Sequence, residues 1–435
     1  MPEQISITGR TAAELAASVE AAIRRGELRP GARLPPIRAL AASLDASHVT
    51  VAAAYRRLRE RGLAVGAGRA GTRVAAQPPL PVRRGLPIPA GVRDLVNGNP
   101  DPDLLPDLPV LSPGHVLYGT DPKDEVLLEQ VGAAFAADGI PAEHVTIVSG
   151  ALDGLERLLD AEVRPGDRVA VEDPTFPRVL DLLASLGLQI EPVSIDEAGP
   201  RPEALVRVLR RGVDALIVTP RAQNPSSTAI DAERAAELRR VLADHPELMV
   251  IEDDHAAGIA GALANSVGAG RERWAVVRSF AKGLGPDLRV AALAGDEVTI
   301  ARVEGRQFLG IGWVSHILQR TVAAMLSNPR TSKGLALAEA AYGQRRTALV
   351  EALASHGITA WGRSGHNVWV PVTEEVTVVA GMLAAGYAVA AGERFRLASP
   401  PGVRITIATL RSEEAPAVAQ AMVEAVRSER RTFSA

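Results

Sequence analysis

The sequence predicts an α/β protein with a small helical head at its N-terminus, and three observations carry that prediction. From Val145 onward, short apolar runs alternate with helical periodicity, the pattern of a mostly parallel sheet covered by helices. Residues 1–76 hold 12 Arg and 6 Asp/Glu, although the whole chain has net charge −3, so a basic head precedes an acidic body. Five prolines fall within Pro78 to Pro89, beside Arg83 and Arg84, and mark residues 77–93 as a semi-rigid linker.

Composition narrows the chemistry. A chain of 435 residues that is 47% hydrophobic and 23% charged supports a large core and two or three domains. With no cysteine, disulfides, thiolate metal sites and a cysteine nucleophile are excluded. The eight histidines show no HExxH-like spacing, so no metal is expected. No run of about eighteen apolar residues and no basic-then-apolar leader is present, which predicts a cytoplasmic protein.

In the head, Thr11 to Arg25 sets Leu15, Val19, Ala22 and Ile23 on one helical face, stopped by Gly26, Pro30 and Gly31. Leu34-Pro35-Pro36 opens a second helix, Ile37 to Leu44, with proline tolerated in the first turn. Asp45-Ala46 turns the chain, and Ser47 is placed to cap a third helix, His48 to Arg61, closed by Gly62. Leu63-Ala-Val, a Gly/Arg tip from Gly66 to Gly71 and Thr72-Arg-Val-Ala read as a hairpin. Three helices, a tight turn between the last two and a two-stranded wing make a winged helix-turn-helix.

The residues Gly26-Glu-Leu-Arg-Pro-Gly-Ala-Arg-Leu-Pro, Arg38-Ala-Leu-Ala, Ser47-His-Val-Thr-Val, Ala54-Tyr-Arg-Arg-Leu and Gly71-Thr-Arg-Val resemble the GntR-type DNA-binding domain. The resemblance implies that Arg38, Ser47, His48, Thr50, Arg69 and Thr72 approach double-stranded DNA, while Tyr55 and Leu58 pack inward. His48 departs from the family's usual arginine. Ala52 and Ala53 stand near positions that are often polar or charged. Such a recognition helix leans on phosphate contacts and DNA shape.

In the body, strands are predicted at Val145–Val148, Val169–Val171, Ala215–Val218, Met249–Ile251, Ala275–Ser279 and Ala291–Ala294. Ligands in such sheets bind beyond the strand ends, so the residues that follow each strand matter most. Ser149, Gly150 and Ala151 precede a helix whose first amides would seat a phosphate, although a Ser-Gly-Ala turn is common. Phe176, in Glu172-Asp-Pro-Thr-Phe, can stack on a flat ring and is equally placed for core packing. Asn224, in Gln-Asn-Pro, offers an amide to a phenolic oxygen. Glu252-Asp253-Asp254 stacks three acids at a strand end, which calls for a cation opposite, and a protonated pyridine nitrogen would serve beside Asp253.

Lys282 follows the fifth strand as Ser279-Phe-Ala-Lys282, with Arg289 seven residues later. Only Lys123, Lys282 and Lys333 are lysine among 48 basic residues, and an amine can be desolvated into a nucleophile where a guanidinium cannot. A lysine beside a hydroxyl and a guanidinium is what a phosphorylated aldehyde such as pyridoxal 5'-phosphate (PLP) needs. Taken alone, the same pattern equally fits a loop lysine kept for solubility.

The order Ser-Gly-Ala, Asp-Pro-x-Phe, Asn-Pro, Asp-Asp, Ser-x-x-Lys is similar to the fold-type I PLP aminotransferases, in detail the kynurenine/2-aminoadipate branch. That resemblance implies Ser149, Gly150, Ala151, Ser279 and Arg289 on the cofactor phosphate, with Phe176 stacked on the ring. It further implies Asn224 on the ring oxygen, Asp253 on the ring nitrogen and Lys282 as the covalent and catalytic residue. Tyr118 matches the tyrosine that reaches a neighbouring subunit's phosphate, which implies a homodimer. Gly98 and Arg404, in Gly-Val-Arg-Ile, match the residues holding a substrate or effector carboxylate. His255 stands where the family has a tyrosine donating to the ring oxygen, which puts efficient turnover in doubt.

A GntR-type head (1–76), a linker (77–93) and an aminotransferase-like body (94–435, with a smaller C-terminal α/β subdomain from about residue 325) is the layout of the MocR subfamily of transcriptional regulators. The resemblance implies a PLP-dependent regulator tied to vitamin B6 or to amino-acid and amine metabolism, answering a small amino-group or B6-type effector. Two other readings compete: an active aminotransferase with an accessory head, and a body that only dimerises. On any DNA-binding reading the arginines supply most of the affinity. Arg38→Ala should therefore weaken operator and scrambled duplexes alike and lower the slope of log K against log salt by about one unit. His48→Ala should relax discrimination at one base step with the slope unchanged. Titrations at several salt concentrations check both, and a slope change confined to His48 would reverse the assignment.

Overall fold

The computed structural model describes residues 7–24, 27–29, 31–60, 63–66, 71–75, 88–111 and 114–432. Arg69, Gly26, Gly62, Ala76 and residues 77–87 of the predicted linker, with Arg83 and Arg84, lie outside the described residues.

In the head, helices α1 (Ala12–Arg24), α2 (Ile37–Leu44) and α3 (His48–Glu60) precede a hairpin of β1 (Ala64–Gly66) and β2 (Thr72–Val74). Val51, Ala54, Tyr55 and Leu58 recur on one side of α3 and are all at most 1% exposed. They pack with Leu15, Val19 and Leu40 into one apolar core. Tyr55 donates its hydroxyl to the Pro35 carbonyl at 2.7 Å, which satisfies the buried phenol. The turn before α3 is made by Asp45 at φ 49°, and Ser47 Oγ accepts the Thr50 amide at 3.0 Å as the predicted cap. One expectation needs correction: Pro35 and Pro36 precede α2, Pro36 being its N-cap, and do not occupy its first turn.

In the body, β3 (Arg93–Asp94) is followed by α4 (Glu125–Ala137), β4 (Val145–Val148), α5 (Ala151–Glu162), β5 (Arg168–Asp173) and α6 (Pro177–Ser185). Next come β6 (Gln189–Asp196), β7 (Gly199–Pro200), α7 (Pro202–Leu209), β8 (Ala215–Val218), α8 (Ala232–Ala243) and β9 (Met249–Asp254). Then follow β10 (Trp274–Ser279), α9 (Ala281–Leu284), β11 (Ala291–Gly295), α10 (Glu297–Leu309), α11 (His316–Leu326) and α12 (Pro329–Ser355). The chain closes with β12 (Asn367–Pro371), α13 (Glu375–Ala384), β13 (Tyr387–Ala388), β14 (Ala390–Ala391), β15 (Gly402–Thr406) and α14 (Ala415–Thr432).

Eight strands form one sheet in the order β4-β11-β10-β9-β8-β5-β6-β7. β10, β9, β8 and β5 run parallel, as the alternation predicts. β11 runs against both of its neighbours. The six predicted strands all form, and β8 is so apolar that each of its four residues is buried. β6 escapes the pattern because Gln-Ile-Glu-Pro-Val-Ser-Ile-Asp lacks a continuous apolar run. A second layer packs β12, β14, β15, α13 and α14 against α12 around Leu349, Val368, Ile405 and Met422. Among the described residues, no helix is long and apolar enough to cross a membrane.

Candidate functional site

Because β11 is reversed, its first residues meet the last residues of its neighbours. Ala291 pairs with Val148 of β4 and with Ser279 of β10. Three segments distant in sequence thus converge: Ser149-Gly150 after β4, Ser279 ending β10, and Arg289 entering β11. Arg289 takes φ 49° and its Nη2 lies 3.4 Å from the Ser149 carbonyl. Gly150 stands at φ 96°, and a Cβ there would lie 2.7 Å from the Arg289 guanidinium. Only glycine leaves this cradle open. Gly150 also caps α5, so that helix's first free amides point into the cradle.

β9 divides its three acids by face, since side chains alternate along a strand. On one face, Glu252 Oε1 accepts Ser266 Oγ and the amides of Val267 and Gly268 at 2.6–2.9 Å. On the same face, Asp254 is held by Arg221 at 2.8 and 2.9 Å and by Arg278 at 2.8 Å. Both guanidiniums also reach Asp138, and Phe135 lies 4.5 Å beneath Arg278. Asp253 faces the other way. It is 6% exposed, its Oδ1 has no hydrogen-bond partner, and burial, then Asp254, raises its pKa to about 7. The charge is left for something cationic to complete.

Lys282, in α9, donates to the Gly98 carbonyl. Burial, then Arg404 and Arg178, lowers its amine to about 8. His255 Nδ1 lies 3.9 Å from Asp253 Oδ2, and burial and Lys282 push the imidazole down to about 4, so it is neutral at physiological pH. Arg404 belongs to β15 and is 6% exposed, so it is no surface arginine. It donates to Asn224 Oδ1 at 2.9 Å and to the Val96 carbonyl, stands 4.8 Å over the Phe395 ring, and keeps a buried Nε unpartnered. A Cβ on Gly98 would come 3.8 Å from Arg404 Nη1, in the space a carboxylate on that guanidinium needs.

Phe176 is half-buried at the start of α6, on an arm fixed by the Thr175 amide, which donates to the Phe395 carbonyl at 2.8 Å. Tyr118 is 93% exposed beside Trp313, 5.7 Å between ring centroids. Sequence reasoning missed His366 and Arg178. His366 Nε2 lies 3.3 Å from the same Gly98 carbonyl that Lys282 uses, and its Nδ1 is buried without a partner. It precedes a strand of the C-terminal layer, where no motif points to it. In the head, Arg38, Ser47 and His48 are exposed, while Thr50 and Thr72 are half-exposed, Thr50 Oγ1 lying 2.7 Å from Ser47 Oγ. Among the described residues no group of acids and histidines could hold a metal.

The donor set fits a phosphorylated pyridine: a glycine cradle with a cation, an orphaned buried carboxylate, an amine and a half-buried aromatic. The family model for bacterial regulatory proteins of the gntR family matches residues 11–74. That for aminotransferase class I and II matches residues 127–422, more than half of the chain. The vitamin B6 salvage pathway transcriptional repressor PtsJ of Salmonella typhimurium is 41% identical over 417 residues, 94% of this chain and 96% of PtsJ. The chain belongs to the MocR subfamily of GntR transcriptional regulators. It is thus a DNA-binding regulator with an aminotransferase-like body. This MocR regulator is also 28% identical to the transcriptional regulator TauR of Rhodobacter capsulatus over 79% of each chain. The fold matches a kynurenine aminotransferase of Pyrococcus horikoshii with TM-score 0.71 at 20% identity, covering 78% of this chain and 92% of that one.

The two aspartates of β9 are expected to respond differently. Asp254→Asn leaves two guanidiniums facing one poor acceptor and should cost about 3–5 kcal/mol of stability. Asp253→Asn should leave the urea midpoint of the MocR regulator unchanged or higher, because its charge has no partner to lose. The Lys282 amine should react with an acylating reagent at a rate that rises with pH to a midpoint near 8, since only the neutral amine attacks. Peptide mapping by mass spectrometry reads it, and a midpoint at 10.5, the ordinary lysine value, would contradict the desolvation argument.

Proposed function

We propose that this MocR regulator holds PLP covalently at Lys282 and answers a B6-type or amino-group effector by changing how its heads engage DNA in the cytoplasm. The observation that carries the reading is the buried Asp253 Oδ1 without a hydrogen-bond partner, joined to the desolvated Lys282 amine through His255, which lies 3.9 Å from Asp253 Oδ2 and feels the Lys282 charge. The similarity to a vitamin B6 salvage repressor along nearly the whole chain supports the choice of effector. When bound, the cofactor supplies an aldehyde that takes an amine and a protonated ring that withdraws electrons. The chain's own residues hold it. Ser149, Gly150, Ala151, Ser279 and Arg289 bind the phosphate, Phe176 covers the ring, and Asp253 keeps the ring nitrogen protonated. Asn224 has its oxygen engaged by Arg404, so its amide N–H groups remain for the ring oxygen.

Arg404 and the open space at Gly98 take an effector carboxylate. Tyr118, exposed in its own chain, would complete the phosphate seat of a second copy in a homodimer with one head on each half-site. The effector acts through differential affinity for two arrangements of that dimer. The carboxylate seat also favours a second reading, an active aminotransferase. It is weighed against His255, whose neutral imidazole replaces a phenol.

Lys282→Ala should lose the borohydride-reducible PLP adduct and, with it, the PLP-dependent change in a gel shift on the protein's own upstream DNA. Its size on a calibrated column should be unchanged. A retained adduct would place the attachment on another lysine. Turnover of amino acids with 2-oxoglutarate at enzyme-like rates, without a PLP effect on DNA binding, would favour the aminotransferase reading.

A further inference from the structure

A cavity of about 360 Å³ lies apart from the lysine pocket, between the β6/α7 edge of the large sheet and the C-terminal layer. Its volume lies in the range that holds small ligands. Trp361 and Trp369 line it, and their backbones exchange hydrogen bonds of 2.7 and 2.9 Å, which fixes the two indoles beside each other. The Trp369 ring packs so closely on Gly402 that a Cβ there would lie 2.1 Å away, so the ring cannot swing aside. Ile195 and Val208 add aliphatic surface.

The charges in the cavity are unbalanced. Asp173 lines it, yet its carboxylate already accepts the amides of residues 397–399 and the Ser399 hydroxyl, all at 2.7–2.8 Å. Arg211 is paired with Glu191 at 2.8 Å. Arg207, one helical turn before it, lines the cavity and makes no hydrogen bond or ion pair among the described residues. A rigid aromatic wall with one uncommitted guanidinium selects a flat ring bearing an anion.

We infer that this cavity is a second small-molecule site, for an aromatic carboxylate, with the ring against Trp361 and Trp369 and the carboxylate on Arg207. Asp173 is both part of its lining and the clamp on residues 397–399. Phe395, next to that clamp, holds Thr175 and underlies Arg404.

The test is calorimetric titration of the full chain with 2-naphthoate and with the neutral 2-naphthalenemethanol. One saturable naphthoate site is expected, weakened about tenfold by Arg207→Ala and unchanged by Arg404→Ala. The neutral analogue should bind wild type and Arg207→Ala alike. Arg207 is exposed, so its replacement leaves the fold intact. No cofactor is added, so the outcome is independent of whether PLP binds at Lys282. Absence of saturable binding, equal affinity for wild type and Arg207→Ala, or loss of binding in Arg404→Ala instead would each overturn the assignment.

Discussion

Two guanidiniums, from Arg221 and Arg278, converge on Asp254 inside the body, and the lysine pocket depends on that arrangement. A buried ion cluster of this kind adds little net stability, because desolvating three charged groups offsets their attraction. Its effect is positional. With Asp254 tied to two arginines and Glu252 Oε1 to three donors on one face of β9, Asp253 is presented to the opposite side, where its Oδ1 has no partner. Shifting β9 by one residue would exchange the faces, burying Asp253 among arginines and removing the free carboxylate. The same alternation that makes a strand half-buried here separates a structural acid from a functional one.

Most of the large sheet was legible because its strands are short apolar runs ending in punctuation, and burial on both faces permits little else. Ser149, Asn224, Asp253 and Lys282 could be nominated because each follows or ends such a run, and Arg289 because it stands just before one. What the sequence does not express is pairing between distant segments. Which acid of the triplet stays free was decided by Arg221, Arg278 and Asp138, which share no local pattern with β9. His366 reaches the pocket through the packing of the C-terminal layer, and Arg178, on α6, acts on Lys282 through its charge; neither lies in a motif. β6 was invisible because a strand with a proline and alternating polar residues carries no apolar run. Arg404 was matched by motif alone, and its burial comes from the layer packed around β15.

The pocket has an unusual protonation state at neutral pH. His255 and His366 are both held neutral by burial and neighbouring cations, while Lys282 titrates close to neutrality. Its fixed charges are therefore the guanidiniums, with Arg404 itself lowered to about 10 by burial and then by Arg394. Such a pocket favours ligands that arrive with their own negative charge and an amine or aldehyde to exchange.

The reversed strand β11 has a consequence for how the chain matures. Ser149 and Arg289, which face each other across the cradle, are separated by 140 positions in sequence. No fragment ending before residue 289 can assemble the cradle, and closing so long a loop precedes any reward from the contacts it makes. A growing chain thus gains the cradle only once residue 289 and the strand that follows it are available to pair. The cradle is therefore a late feature of the sheet, assembled only after its two distant ends have been brought together.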